Sequence, residues 1–165
     1  MSASNSSALR LRPHHLLCLQ TFVGHGYSEE FVRHMTLVKN RLTADPHTPI
    51  VLVKGADELC AHCPNCVDGH CTSENPALFD RLVNERLTGG PQTDEQQTGE
   101  RLTAQAAPAP LSGIPDSLQI SEALLDACCP GCEWKELCIK VCRQRIKRPL
   151  RENDPRWGET AFEVG

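Results

Sequence analysis

Aromatic residues are scarce, at 4% of 165 residues, with two tryptophans, one tyrosine and four phenylalanines. Leu, Ile, Val and Phe number 19, 5, 9 and 4, only slightly above the composition at which chains tend to disorder. A thick apolar core is therefore excluded, and any cross-link gains weight. Long apolar runs are missing too. The stretch Leu16 to Leu19 falls far short of the ~20 residues of a membrane span. The first 24 residues show no basic start, long apolar segment and small-residue cleavage site, so no secretory leader is expected. Those absences predict a soluble, cytoplasmic protein, in which disulfides are disfavoured. Positive charge is not in excess: 17 Lys and Arg face 21 Asp and Glu, for a net charge of −4, which argues against general affinity for nucleic acid or anionic membranes. No Gly-rich phosphate loop with its Lys, no nucleophile elbow and no HExxH appears, so no reaction or substrate is readable and enzymatic activity stays open.

Cysteine is what the chain has in quantity. Eight of its ten cysteines fall into two runs, Cys60, Cys63, Cys66, Cys71 and Cys129, Cys132, Cys138, Cys142. Four thiolates gathered by short loops suit a tetrahedral zinc ion or an iron–sulfur cluster, since both accept this soft donor. In a chain with so thin a core, a structural four-ligand metal site can add on the order of 10 kcal/mol of folding free energy. The metal then decides whether the chain folds.

The first run reads Cys60-x2-Cys63-Pro-x-Cys66-x4-Cys71, with Gly69 beside the last turn. Two intervening residues let successive thiols converge on one ion, and Pro and Gly help the chain bend around it. The spacing is near the bacterial ferredoxin run, but the last gap is longer and the Pro is elsewhere, so ferredoxin identity does not follow. His62 and His70 are secondary ligand candidates, more often solvated loop residues. In the second run, Pro130 and Gly131 favour the turn that the Cys129/Cys132 pair needs. A helix after Glu133 sets Cys138 and Cys142 on one side, with Trp134, Leu137 and Val141. Cys142 is as readily a packed core thiol as a ligand, and Cys128 is a spare thiol. A competing reading makes Cys129 and Cys132 a dithiol redox pair at a helix start, although the preceding ISEALLDAC reads as helix rather than the strand such a pair expects.

The rest of the chain supplies scaffold. Residues 1–9 read as a disordered tail, 10–148 as one cysteine-rich domain of ordinary size, and 149–165 as a C-terminal tail. Pro13 opens a helix through HHLLCLQTFV toward Gly24 and Gly26, on which His14 or His15 lies one turn from Cys18. Those side chains complete a site left short of ligands, support a thiolate by hydrogen bonding, or merely line a half-buried helix. Ser28 caps a second helix to about Thr43, with Phe31, Val32, Met35, Val38 and Leu42 as its apolar face. Ile50 to Val53 reads as the one short strand. Asn75-Pro76 opens a third helix ended by Gly89 and Gly90. A flexible insert is expected over about 89–115, with at most a weak helix near Glu100 to Ala107. Ser121 caps a short helix to about Ala127. The basic stretch Lys140, Arg143, Arg145, Lys147, Arg148, Arg151 reads first as cations at a helix C-terminus, and second as a contact surface for an acidic partner.

RLRPHHLLCLQTF, GHGYSEEFVRHM, DELCAHCP with the later Cys71, and CCPGCEWKELC together resemble a bacterial and archaeal family known as domain of unknown function 1284. The resemblance spans Arg10 to Cys138 in order and implies the iron–sulfur binding suspected for that family, with no established reaction. Carried over by residue, it points to His14, His15, Cys18, Cys60, Cys63, Cys71, Cys129, Cys132 and Cys138. Cys66 and Cys142 have no clear place in the pattern, and the Gln/Pro/Ala segment departs from the family's middle region. Those departures leave open two complete centres or one shared between the runs and Cys18. The sequence thus predicts a mainly helical, metal-stapled domain with cysteine-rich loops. It would carry one or two iron–sulfur clusters, of the 4Fe-4S kind, with zinc as the alternative, and serve a redox partner protein. The zinc alternative makes the chain an interaction module.

Overall fold

A computed structural model describes residues 7–45, 48–91, 101–102 and 118–147, the side chains of 101–102 and 145–147 aside. Most of the 1–9 tail and of the 89–115 insert, and all of the 149–165 tail, lie outside the described residues. The chain is mainly helical. Its elements are β1 (Leu9–Leu11), α1 (His15–Thr21), α2 (Glu29–Ala44), β2 (Ile50–Leu52), β3 (Cys66–Val67), β4 (His70–Cys71), α3 (Pro76–Thr88), β5 (Arg101–Leu102), α4 (Glu122–Cys128) and α5 (Lys135–Lys147). A short 3-10 turn, Cys60–His62, opens the first cysteine run.

Local chemistry explains most helix ends. Ser28 is extended and its hydroxyl accepts the Phe31 N–H at 3.1 Å, starting α2 where expected. Ser121 does the same for the Leu124 N–H at 3.1 Å. Pro76 sits in the first turn of α3, and Gly89, with φ of 77°, closes it in the left-handed region. α1 is shorter than its sequence suggests. It ends at Thr21 because Phe22 turns extended, with ψ of 126°, and gives its carbonyl to Lys39 Nζ at 2.7 Å.

Strands are more numerous than the one expected. β2 pairs parallel with β1, Leu9 opposite Ile50 and Leu11 opposite Leu52, and antiparallel with β5. Parallel pairing requires a long crossover, which α1 and α2 supply. Arg101 and Leu102, which fall in the insert expected to be flexible with at most a weak helix, extend this sheet instead. β3 and β4 form a separate ribbon, with Cys66 opposite Cys71 and Val67 opposite His70. Asp68 (φ 49°) and Gly69 (φ 77°) make its two-residue turn. Two consecutive positive φ values are what a tight hairpin demands, and Asp-Gly supplies them at low cost.

The main core gathers Leu9 and Leu11 of β1, Leu16, Leu17 and Leu19 of α1, the buried face of α2, and Leu52, Leu59, Val83, Leu118 and Leu124. α1 packs on α5, and α3 on α4. Buried Gln20 ties α1 to the segment before α4: its amide donates to the Leu118 carbonyl at 2.8 Å and accepts the Ile120 N–H at 3.3 Å. The second cysteine run is thereby anchored against α1.

Candidate metal centre

α1 stands between the two cysteine runs. His15, Cys18 and Thr21 follow at three-residue spacing and share one side of the helix. His15 meets the first run and the other two meet the second. The Thr21 hydroxyl, almost fully buried, lies 3.1 Å from Cys138 Sγ, its single proton shared between that sulfur and the Leu17 and Cys18 carbonyls at 3.3 and 3.4 Å. Cys18 lies within electrostatic reach of Cys138, Cys129 and Cys132, and burial, then those sulfurs, pushes its thiol well above the usual range. Residues separated by more than 110 positions are thus brought to one side of α1, where Cys18 faces Cys129, Cys132 and Cys138, no three of these sulfurs lying within 4.8 Å of one another.

The local path of the second run explains this convergence. Cys129 caps α4, its N–H bonded to the Leu125 carbonyl at 3.0 Å. Gly131, with φ of 72°, turns the chain so that the Cys132 N–H returns to the Cys129 carbonyl at 3.3 Å. α5 then raises Cys138 beside both. Burial, followed by Cys132, pushes the Cys129 thiol up to about 12. A dithiol attacker needs the opposite shift, and Cys129 sits at the carbonyl end of α4, where the helix dipole disfavours a thiolate. Geometry and charge therefore weigh against the Cys129/Cys132 redox pair.

The first run is shaped as a knuckle. The Cys63 N–H bonds the Cys60 carbonyl at 3.0 Å and the Cys66 N–H bonds the Cys63 carbonyl at 3.0 Å. Burial raises the Cys63 thiol, opposed by the backbone N–H groups of Asn65 and Cys66 that point at its sulfur. Cys71 and Cys66 stand across the ribbon and both act electrostatically on Cys63. The Arg12 guanidinium, nearly buried, feels both Cys60 and Cys71.

Two buried aspartates, not singled out by the sequence, hold α1 against this knuckle. Asp57 Oδ2 accepts the Arg12 N–H at 2.6 Å and His15 Nδ1 at 2.6 Å, while Oδ1 accepts the N–H groups of Leu59 at 2.9 Å and Cys60 at 3.1 Å. Asp80, on α3, accepts Arg12 Nε at 2.8 Å and His14 Nδ1 at 2.6 Å. Burial raises both carboxyls, but the surrounding donors overcome it; Asp57 falls to about 2, chiefly through His15, and Asp80 also falls, chiefly through His14. Among the described residues, His15, Asp57 and Cys60 are the trio of donor atoms all within 4.8 Å of one another. Four N–H groups already occupy the Asp57 oxygens, so that carboxylate orients its neighbours. Cys60 is no poised nucleophile beside His15, because burial and then Asp57 push its thiol up to about 12.

The remaining candidates lie apart. Cys142, 2% exposed, packs with Leu125 and Ile139 and sits 3.9 Å from the Ile120 carbonyl. Cys128 is buried beside the Leu82 carbonyl at 3.9 Å. His62 is exposed and pairs with Glu30 at 2.9 Å, and His70 is exposed on β4. Of the basic stretch, Arg143 pairs with Glu122 at 2.8 Å. The side chains of Arg145 and Lys147, and residues 148–151, lie outside the described residues. No described helix is long and apolar enough to cross a membrane.

The family described as "Protein of unknown function (DUF1284)" matches residues 26–138. The match takes in both cysteine runs through Cys138 and stops short of β1 and α1. No curated protein and no solved structure matches the chain.

Proposed function

We propose that this chain, which belongs to the DUF1284 family of unknown function, binds an iron–sulfur cluster through Cys18, Cys129, Cys132 and Cys138 and passes single electrons to a redox partner protein. The observation that carries this reading is the packing of α1 on α5, which sets the Thr21 hydroxyl 3.1 Å from Cys138 Sγ and turns Cys18, three residues earlier on the same helix, toward the second run. The donor set fits, since four thiolates are the ordinary ligands of such a cluster. When bound, the cluster supplies one-electron exchange at a potential set by burial and by hydrogen bonds to sulfur. The chain provides both. The Thr21 O–H is shared with Cys138 Sγ, and α1, α4 and α5 keep water from much of the group. Gln20 fixes the separation of α1 from the second run by gripping residues 118 and 120.

The knuckle supports a second, structural centre. Backbone N–H groups aimed at the Cys63 sulfur and a hairpin that returns Cys71 opposite Cys66 are features of a zinc knuckle, and a zinc ion held by Cys60, Cys63, Cys66 and Cys71 would draw together sulfurs of which no three lie within 4.8 Å of one another. It would pin the loop that carries Asp57 against α1.

Anaerobically purified protein is expected to be brown, with broad absorbance near ~400 nm and acid-labile sulfide. Cys132→Ser should abolish colour and sulfide while leaving zinc, and Cys63→Ser should do the reverse. Colourless protein holding zinc alone overturns the electron-transfer reading, and loss of all metal from either change shows one shared centre.

A further inference from the structure

Two imidazoles at the start of α1 are not used by either sulfur group. His14 and His15 each direct Nδ1 at a buried carboxylate oxygen, Asp80 Oδ1 and Asp57 Oδ2, both at 2.6 Å. A carboxylate only accepts, so Nδ1 is the donor in both rings, and in the neutral imidazole Nε2 is then the lone pair open to a metal. This carboxylate–histidine pairing is the arrangement that typically stands behind metal-ligating imidazoles. Neither Nε2 has a protein hydrogen bond among the described residues, and neither is sealed in. The one enclosed polar side-chain atom without a partner among those residues is Thr48 Oγ1. The ring centroids are 4.4 Å apart, with the planes tilted by 57°, so the two imidazoles are immediate neighbours.

Charge points the same way. Asp57 and Asp80 bring two buried carboxylates, and Arg12 is the one guanidinium bonded to them. Metal-bound imidazoles are neutral, so with an ion in place the two carboxylates and one guanidinium leave a negative charge for that ion to offset.

We infer that His14 and His15 together hold a divalent first-row transition-metal ion of the kind imidazole favours, through their Nε2 atoms, at a site separate from both cysteine groups. Its remaining positions are open to water or to a small exogenous ligand. Cys60 Sγ lies within 4.8 Å of donor atoms of both His15 and Asp57, so the ion would adjoin the knuckle and share its second layer of carboxylates. The inference does not depend on iron–sulfur binding, since it rests on nitrogen donors and a carboxylate charge.

The test is equilibrium dialysis of the full chain against Zn2+ under anaerobic conditions, with iron, zinc and acid-labile sulfide measured on the same samples. Wild-type protein should bind one zinc equivalent more than its cysteine groups hold. His14→Gln and His15→Gln should each weaken that equivalent at least ~10-fold, with iron, sulfide and visible absorbance unchanged. Zinc binding unaltered in both variants overturns the site, as does loss of iron and sulfide on either change, which would make the imidazoles cluster ligands. Absence of sulfide from wild-type protein would refute the cluster alone. If a variant fails to fold, 15N-histidine spectra of wild-type protein decide: added Zn2+ should shift Nε2 of two histidines and leave their Nδ1 protonated. Unmoved Nε2 signals refute the inference.

Discussion

Replacing Asp57 with asparagine removes a charge and one acceptor atom while preserving shape. In the native fold each carboxylate oxygen receives two N–H groups, and the side chain is fully enclosed, at 0% exposure. The asparagine amide nitrogen must face one of these pairs. If it replaces Oδ2, the Arg12 and His15 donors are stranded; if it replaces Oδ1, those of Leu59 and Cys60 are. Hydrogen bonds to a charged group contribute about 1.5–3 kcal/mol each, so losing two costs about 3–6 kcal/mol. That is a large share of the 5–15 kcal/mol typical of a domain, and at about 2–4 °C per kcal/mol it lowers Tm by roughly 10 °C. The assay is urea unfolding of anaerobically purified protein with its metals in place, comparing Asp57→Asn with wild type. The pH dependence supplies an internal check. Asp57 falls from 3.8 to about 2 on folding, so its charge contributes about 2 kcal/mol that is present above pH ~4 and lost as pH falls through ~2. The gap between the two proteins should narrow by about 1 kcal/mol from pH ~5 to pH ~3. A difference below about 1 kcal/mol at neutral pH, or one that does not narrow in acid, refutes the role given to this carboxylate.

Thr21→Val keeps side-chain shape and deletes the donor to Cys138 Sγ; losing about 1 kcal/mol of preference for the reduced cluster lowers its potential by on the order of 40 mV. Protein-film voltammetry reads this directly, and an unchanged potential counts against the contact. Cys142→Ala should keep iron and sulfide at wild-type levels, whereas Cys138→Ser should empty the centre; equal losses would place Cys142 among the ligands. Gly89→Ala meets nothing within 4 Å but must hold φ at 77°, so thermal melts should show a cost of about 1 kcal/mol from backbone strain alone.

Elements with strong local signals were legible. Ser28, the apolar spacing of Phe31, Met35, Val38 and Leu42, and the Asn75-Pro76 to Gly89 frame give α2 and α3 nearly to the residue. Strand β1 was not, because Leu9-Arg10-Leu11 has no alternation long enough to read, and its identity comes from Ile50 and Leu52 some forty positions away. The β3–β4 ribbon did carry a signal, the Asp68-Gly69 pair, obscured by the metal-knuckle pattern in which it sits. At the candidate site the thiols and imidazoles were visible by residue type. Asp57, Asp80, Arg12 and Thr21 were not, since a charge on a helix or loop ordinarily faces water, and only the packing of α1 encloses these. The GADEL string ahead of Cys60 and the Arg12-Pro13-His14-His15 start are the places where buried partners could have been sought.

The parallel seat of β1 beside β2 has a practical cost for anyone trimming this protein. A fragment begun at Gly26 would keep nine of the ten cysteines and look complete on paper. It would leave β2 with a bare edge, because the Leu9 N–H that reaches the Pro49 carbonyl and the Leu11 carbonyl that receives the Val53 N–H would both be gone. An exposed edge of this kind invites pairing with another copy. Such a fragment should precipitate rather than report on metal chemistry, and an affinity tag belongs ahead of Leu9, never in place of it.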